Sequence, residues 1–231
     1  MQIALKNVSK KFGERSVFED LNLTFKQGKI NCILGPSGCG KTTILNILAG
    51  LTDCLGDVVK PEKVAYIFQN SRLLPNLTVW ENVEYVALDM EKTKRDALIK
   101  KLLEMVEMYD RRNDYPSALS GGMARRVSIA RAYAYPAGLL LMDEPFSALD
   151  LGLKLRQMEV YNQLSKEFPR TSIFVTHDID EALMFADCIT VLKKGGVVAD
   201  SFEISTRDGR DIFSPEFTIL KERLFTLLKN E

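Results

Sequence analysis

The sequence has little of what several chemistries require. Its 231 residues contain one histidine, His177, one tryptophan and four cysteines. A serine-protease triad or a zinc centre would have to pass through that single imidazole, which argues against both. Cys32, Cys39, Cys54 and Cys188 form no CxxC pair and have no histidine at ligand spacing. They read as small apolar side chains of a reducing compartment rather than as metal or disulfide sites. Charge of one sign is not in excess, with 31 basic residues against 31 acidic ones. That balance argues against a protein held mainly by nucleic-acid phosphates or by an anionic membrane surface. No apolar run approaches the roughly 18 to 20 residues of a membrane span. Residues 1–11 alternate apolar and polar side chains where a signal peptide would carry a continuous apolar core. The expectation is a cytosolic chain without repeats or low-complexity linkers.

What is present is globular. A content of 46% hydrophobic and 27% charged residues fits one large domain, or one domain carrying an insertion. The first 34 residues read as β: Ile3, Leu5 and Val8 alternate, as do Leu21, Leu23 and Phe25, and residues 30–34 form a short apolar run. A helix follows at residue 41, with Ile44, Leu45, Leu48 and Leu51 as its apolar set. Residues 139–142 and 172–176 are further buried-strand candidates, separated by a helix over 151–168 with Leu155, Met158 and Leu164 inward. Strand, helix, strand in this order implies right-handed crossovers and a parallel sheet. From Asn76 to about Tyr135 the strand signals stop. Thr78 and Glu81 form a capping box, Thr93 looks like a second helix start, and Leu98, Leu102, Met105 and Tyr109 make one apolar stripe. The basic cluster Lys92, Lys94, Arg95, Lys100 and Lys101 reads as the solvated face of that helix. This predicts an all-helical subdomain over 76–135 inserted into an α/β core formed by 1–75 and 136–231. Ser214 and Pro215 start a last helix bearing Phe217, Leu220, Leu224 and Leu227.

Two motifs carry chemistry. Gly35-Pro36-Ser37-Gly38-Cys39-Gly40-Lys41-Thr42 fits G-x-x-x-x-G-K-[ST] and sits between an apolar strand and a helix. Glycines let the backbone curl so that N–H groups point at phosphate oxygens, and the helix adds its positive end. Lys41 can reach the β- and γ-phosphates, and the Thr42 hydroxyl can take a Mg²⁺ position. The pattern implies a nucleoside triphosphate. Residues 139–142 then end in Asp143 and Glu144, an adjacent carboxylate pair whose repulsion has a stability cost. Asp143 can hold Mg²⁺ and Glu144 can face an attacking water, which reads as hydrolysis rather than transfer to a second substrate.

The segment Leu119-Ser120-Gly121-Gly122-Met123, followed by Arg125-Arg126-Val127-Ser128-Ile129-Ala130-Arg131-Ala132, resembles the signature of ABC ATPases. Other motifs of that family occur in its order over about residues 1–200, among them Gln69 at the end of a strand read over residues 64–68 and His177 directly after the strand 172–176. The resemblance implies a P-loop NTPase core with a mixed, largely parallel sheet, an antiparallel N-terminal β part and the inserted helical subdomain. It implies that Phe12 stacks on adenine, that residues 35–43, Cys39 and Thr43 included, hold ATP, and that Thr42, Gln69 and Asp143 hold Mg²⁺. Glu144, His177 and Gln69 become the catalytic set, with Gln69 also linking nucleotide state to subdomain rotation. Ser120, Gly121 and Gly122, with Asp150 of the Ser147-Ala148-Leu149-Asp150 motif, would complete the ATP site of a second copy, so that hydrolysis needs a dimer. The family usually has glutamine where this chain has Met123, which leaves open whether activity is lower or depends on a partner subunit.

Residues 71–83 resemble the permease-docking segment of bacterial nitrate, sulfonate and taurine importers. That implies an importer ATPase on the cytoplasmic face of the inner membrane, with a transmembrane permease and, indirectly, a substrate-binding protein as partners and no nucleic acid. An exporter or lipoprotein-release ATPase of similar length, and a soluble ATPase switch, are the alternatives. Cargo stays open, because the ATPase does not touch it.

Overall fold

The computed structural model describes residues 2–147, 149–204 and 214–229. The strands β1 (Ile3–Phe12) and β2 (Arg15–Phe25) form an antiparallel hairpin, and β4 (Leu55–Val59) pairs antiparallel with β1 on its other side. A second sheet has the order β5 (Val64–Ile67), β6 (Leu139–Asp143), β7 (Thr171–Thr176), β3 (Ile30–Leu34), β8 (Cys188–Leu192), β9 (Val198–Glu203). Its first five strands are parallel and β9 is antiparallel to β8. β3, β6, β7 and β8 are buried along their whole length. A parallel strand covered on both faces needs apolar residues at consecutive positions, which is why these runs are legible in the sequence.

The strand period of two divides those residues between two cores. Ile33, Leu139, Leu141, Ile173 and Val175 face α1 (Lys41–Ala49) and the three-stranded sheet. Leu34, Leu140, Met142 and Phe174 face the opposite layer, which contains α5 (Leu151–Glu167), α6 (Ile179–Phe185) and α7 (Pro215–Lys229). Between β5 and β6 the chain forms α2 (Val79–Glu84), α3 (Lys92–Met105) and α4 (Gly121–Ala134). Val79, Val83, Ile99, Leu102, Leu103 and Val127 of these helices join the second core.

Local signals held at the α2 start, where the Thr78–Glu81 capping box is formed in both directions, and at α7, where Ser214 Oγ accepts from Phe217 N. Four expectations are corrected. The α3 N-cap is Glu91, whose carboxylate accepts from Thr93 N and Lys94 N, and its buried face is Ile99, Leu102, Leu103 and Val106, with Leu98, Met105 and Tyr109 at the margin. The strand expected to run through Phe68 ends at Ile67. Leu51 is exposed, because α1 stops at Gly50, whose φ of +75° turns the chain away. Leu155 is also exposed, at 47%. Lys154 occupies the inward position instead, its Nζ 2.6 Å from Oε1 of the buried Glu181 and 3.0 Å from Oδ2 of Asp178.

That ion cluster has a measurable consequence. Glu181 Oε2 also accepts from Thr176 Oγ1 at 2.6 Å, so Lys154→Met would strand a buried carboxylate on one neutral donor. The expected loss is about 3 kcal/mol, at the low end for a broken buried pair because Lys154 keeps some exposure. Thermal unfolding should then fall by roughly 6–12 °C. Burial pushes the Asp178 carboxyl up, but Lys154 and the amides of Glu181 and Asp180 outweigh it and hold the group below the usual carboxylate range. A depressed native pKa means stability present at neutral pH and lost on acidification below about pH 4.

Candidate functional site

The G-x-x-x-x-G-K-T loop joins the central strand β3 to α1. Glycine is demanded at three of its positions, at Gly38 by a φ of +80° and at the other two by space. A Cβ on Gly35 would lie 2.2 Å from the Leu192 carbonyl oxygen, and Gly40, at φ +101°, would bring one to 2.9 Å from Val17 and 3.0 Å from the Phe18 ring. The loop wraps the Lys41 ammonium, which donates to the carbonyls of Gly35 (2.7 Å) and Pro36 (2.8 Å). An ammonium has three protons, so one is left for a ligand. Beside it opens a cavity of about 550 Å³ lined by Phe12, Arg15, Ser16 and Val17, by Ser37, Gly38, Gly40 and residues 41–43, and by Glu144, Lys194 and Gly195. Phe12 is 54% exposed, with Lys10 Nζ 4.9 Å from its ring centre.

The two carboxylates at the end of β6 point to different jobs. Asp143 accepts from Thr42 Oγ1 at 3.1 Å. Burial pushes its carboxyl above the usual range, Thr42 opposes this, and the Glu144 charge adds to it. A carboxylate beside a hydroxyl is an all-oxygen donor pair of the kind Mg²⁺ takes. The residues present therefore fit the cation. Glu144 turns away because its backbone is left-handed, φ +45°, a conformation costing about 1–2 kcal/mol for a side chain of this kind. Three things hold it there. Its N–H donates to Val175 O, and its carbonyl accepts from Ser147 N, Ser147 Oγ and Arg125 Nη2. Phe146, two residues on, is fully buried among Tyr161, Phe174 and Phe185, and burying such a ring stabilises by about 1.5–3 kcal/mol. The result places Glu144 Oε1 3.1 Å from Nδ1 of His177, the residue that follows β7. Strain over-determined in this way is typical of functional positions.

Other expected residues lie apart. Gln69, after β5, is exposed and reaches the centre only through its carbonyl, which accepts from Arg125 Nη1 at 2.9 Å. Ser120 caps α4 by accepting from Met123 N at 3.3 Å. Ser120, Gly121 and Gly122 are exposed, and none lines the cavity. Asp150 caps α5 by accepting from Leu153 N, also away from the cavity; Ala148 of the 147–150 motif lies outside the described residues. Met123 packs its side chain against the core, so the departure from glutamine leaves the cap geometry intact.

Sequence reading missed Arg15, Ser16, Val17, Lys194 and Gly195 on the cavity wall. Arg15 had a signal: Gly13-Glu14 makes a two-residue turn after Phe12, with Gly13 at φ +60°, and pairs Phe12 with Arg15 across the hairpin. Lys194 and Gly195 had none, because they arrive from the far end of the chain after β8.

The chain is similar to known proteins in sequence and in fold. The family model described as ABC transporter matches residues 18–147. The aliphatic sulfonates import ATP-binding protein SsuB 3 of Paraburkholderia xenovorans is 40% identical over 207 residues, covering 89% of this chain and 82% of that protein. The sulfate/thiosulfate import ATP-binding protein CysA of Ralstonia nicotianae is 37% identical over 85% of this chain, which spans only 58% of the CysA length. Among solved structures, the dimeric post-hydrolysis state of the ATP-binding cassette MJ0796 bound to ADP and Pi is 33% identical, with a TM-score of 0.77 over 88% of this chain and 99% of that one.

Proposed function

The chain belongs to the ABC transporter family, and from that premise we propose that it is the ATP-hydrolysing subunit of a bacterial importer, working as a two-site dimer against a membrane permease. The observation that carries the hydrolytic reading is the strained Glu144, held 3.1 Å from His177 beside the Lys41 loop. In the proposed reaction Glu144 accepts a proton from water as the water attacks the γ-phosphorus. The bond to the bridging oxygen breaks and leaves ADP and phosphate. Lys41 and the loop amides hold the phosphate oxygens, and His177 orients Glu144. Mg²⁺, when bound by Thr42 and Asp143, with Gln69 as a third proposed ligand, would neutralise charge on the β- and γ-oxygens.

Dimerisation is supported by the exposed start of α4. A Cβ on Gly121 or Gly122 would meet nothing within 4 Å beyond its chain neighbours and the backbone of its own helix. Packing within the chain therefore does not require glycine there, whereas close approach of a phosphate held by a second, identical chain would. Among the described residues no helix is long and apolar enough to cross a membrane. The docking place of the permease in this reading is the segment after Gln69, on the proposed helical subdomain 76–135 set into the core of 1–75 and 136–231. The fully buried Asn82 organises this segment, donating to the carbonyls of Leu74, Leu77 and Thr78 and accepting from Leu74 N. Leu74, Tyr85 and Leu88 are left exposed there. The proposed location is the cytoplasmic membrane face, and the proposed cargo is a small oxyanion such as a sulfonate, from the names of the relatives.

If Phe12 stacks on adenine, Phe12→Ala should raise the ATP KM about tenfold at unchanged kcat, since base–aromatic stacking is worth about 1–3 kcal/mol. The wider proposal is tested by isolating the tagged chain from gently solubilised native membranes and identifying what stays bound. A multi-span permease together with uptake of sulfonate lost on deletion supports it. Recovery of soluble proteins alone, from membranes in which other permease complexes survive, overturns it.

A further inference from the structure

We propose that Arg125 is a positioning residue that sets the placement of Glu144 according to the position of helix α4. Its guanidinium forks between two loops: Nη1 donates to the Gln69 carbonyl at 2.9 Å and Nη2 to the Glu144 carbonyl at 3.1 Å. Each of those loops carries one residue of the proposed catalytic set, and the fork is rooted in the helix that begins at Ser120. Arg125 does not line the ATP cavity. It acts on the backbone of Glu144, which is the part of that residue under strain at φ +45°.

A second arginine of the same helix supplies the contrast. Arg131 donates from Nη1 to Arg72 O and from Nη2 to Ser71 O, both at 2.9 Å. α4 thus grips residues 69–72 twice, with Arg131 bonding to that loop and Arg125 continuing to Glu144. Any displacement of α4 relative to β6 must lengthen one arm of the Arg125 fork. A planar guanidinium can serve both carbonyls at once, while a lysine ammonium is a point donor without that fixed fork. The guanidinium also lies beside the hydroxyl of the fully buried Tyr161 on α5. This inference rests on the reading of Glu144 as the base.

The test is steady-state ATP hydrolysis by the full chain with its membrane partners, comparing Arg125→Lys and Arg125→Gln, each also combined with Glu144→Gln, and Arg131→Lys as control. The expected result is a fall in kcat of about tenfold for Arg125→Lys, with the ATP KM within twofold and Arg131→Lys within twofold of the parent. Because Arg125 acts through Glu144, adding either Arg125 substitution to Glu144→Gln should cause no further loss. Arg125→Gln keeps a single planar donor pair and serves as the second variant should Arg125→Lys fold poorly. Equal fractional losses in both backgrounds would overturn the proposal, as would a loss that tracks thermal stability and disappears on cooling. Full turnover by Glu144→Gln alone is a different result: it would remove the reading of Glu144 as base.

Discussion

Glu144→Gln is expected to lower ATP turnover by about 10²–10⁴-fold, the usual contribution of a positioned general base, while ATP still binds. The amide keeps the shape of the carboxylate and can still bond His177 Nδ1, 3.1 Å away in the parent. The left-handed turn at residue 144 is held by backbone bonds to Val175, Ser147 and Arg125 that the substitution does not touch. What disappears is the ability to take a proton from water. The ATP-bound dimer, no longer emptied by hydrolysis, should accumulate. Size-exclusion chromatography with and without Mg-ATP at micromolar chain concentration reads this directly. A variant that keeps turnover within twofold would show that another group is the base. One that loses turnover yet stays monomeric with ATP would separate the base assignment, which stands, from the two-site dimer, which does not.

Lys41→Ala is expected to weaken ATP binding by roughly a hundredfold or more. The one ammonium proton left for phosphate makes a charge-assisted hydrogen bond worth about 1.5–3 kcal/mol, and every 1.4 kcal/mol is a factor of ten, so that bond alone accounts for roughly ten- to a hundredfold. The structure adds a second reason. Lys41 Nζ also ties the Gly35 and Pro36 carbonyls together, so alanine removes an internal brace of the loop as well as the cation. Titration with a fluorescent ATP analogue measures the change. Affinity unaltered within twofold would overturn the phosphate-site assignment, and ADP, which lacks the γ-phosphate, should lose less than ATP.

Legibility in the sequence followed the range of the interactions. The β3–loop–α1 unit was readable because Ile30 to Thr43 are consecutive, and because Gly35 and Gly40 answer steric demands only glycine meets. The α2 capping box was readable for the same reason, spanning three residues. Errors came where a distant partner decided the outcome. Helical spacing alone puts Leu155 inward with Met158 and Leu164; those two are buried, but the buried Glu181 on α6 pairs with Lys154 and Leu155 is left exposed. The stripe on α3 slipped in the same way, because the layer above it fixes which side is covered. Arg125 is invisible as a functional candidate in one dimension: the carbonyls it joins are 56 and 19 residues away.

The sequence by itself determined the chemistry on offer: a phosphate loop, an acidic strand end, one histidine after a buried strand and a glycine-rich helix start. These are short motifs whose backbone geometry is set by neighbouring residues. Only the tertiary structure decided how they meet. It put Asp143 on Thr42 and Glu144 on His177, drew Lys194 to the wall of the cavity that Phe12 also lines, and left Ser120 to Gly122 outside that cavity. The physical reason is the parallel sheet, which aligns the carboxyl ends of β3, β6 and β7 at one edge and so converges residues more than a hundred positions apart. Packing of the helical layers, and no local pattern, then fixes which loops those ends can touch.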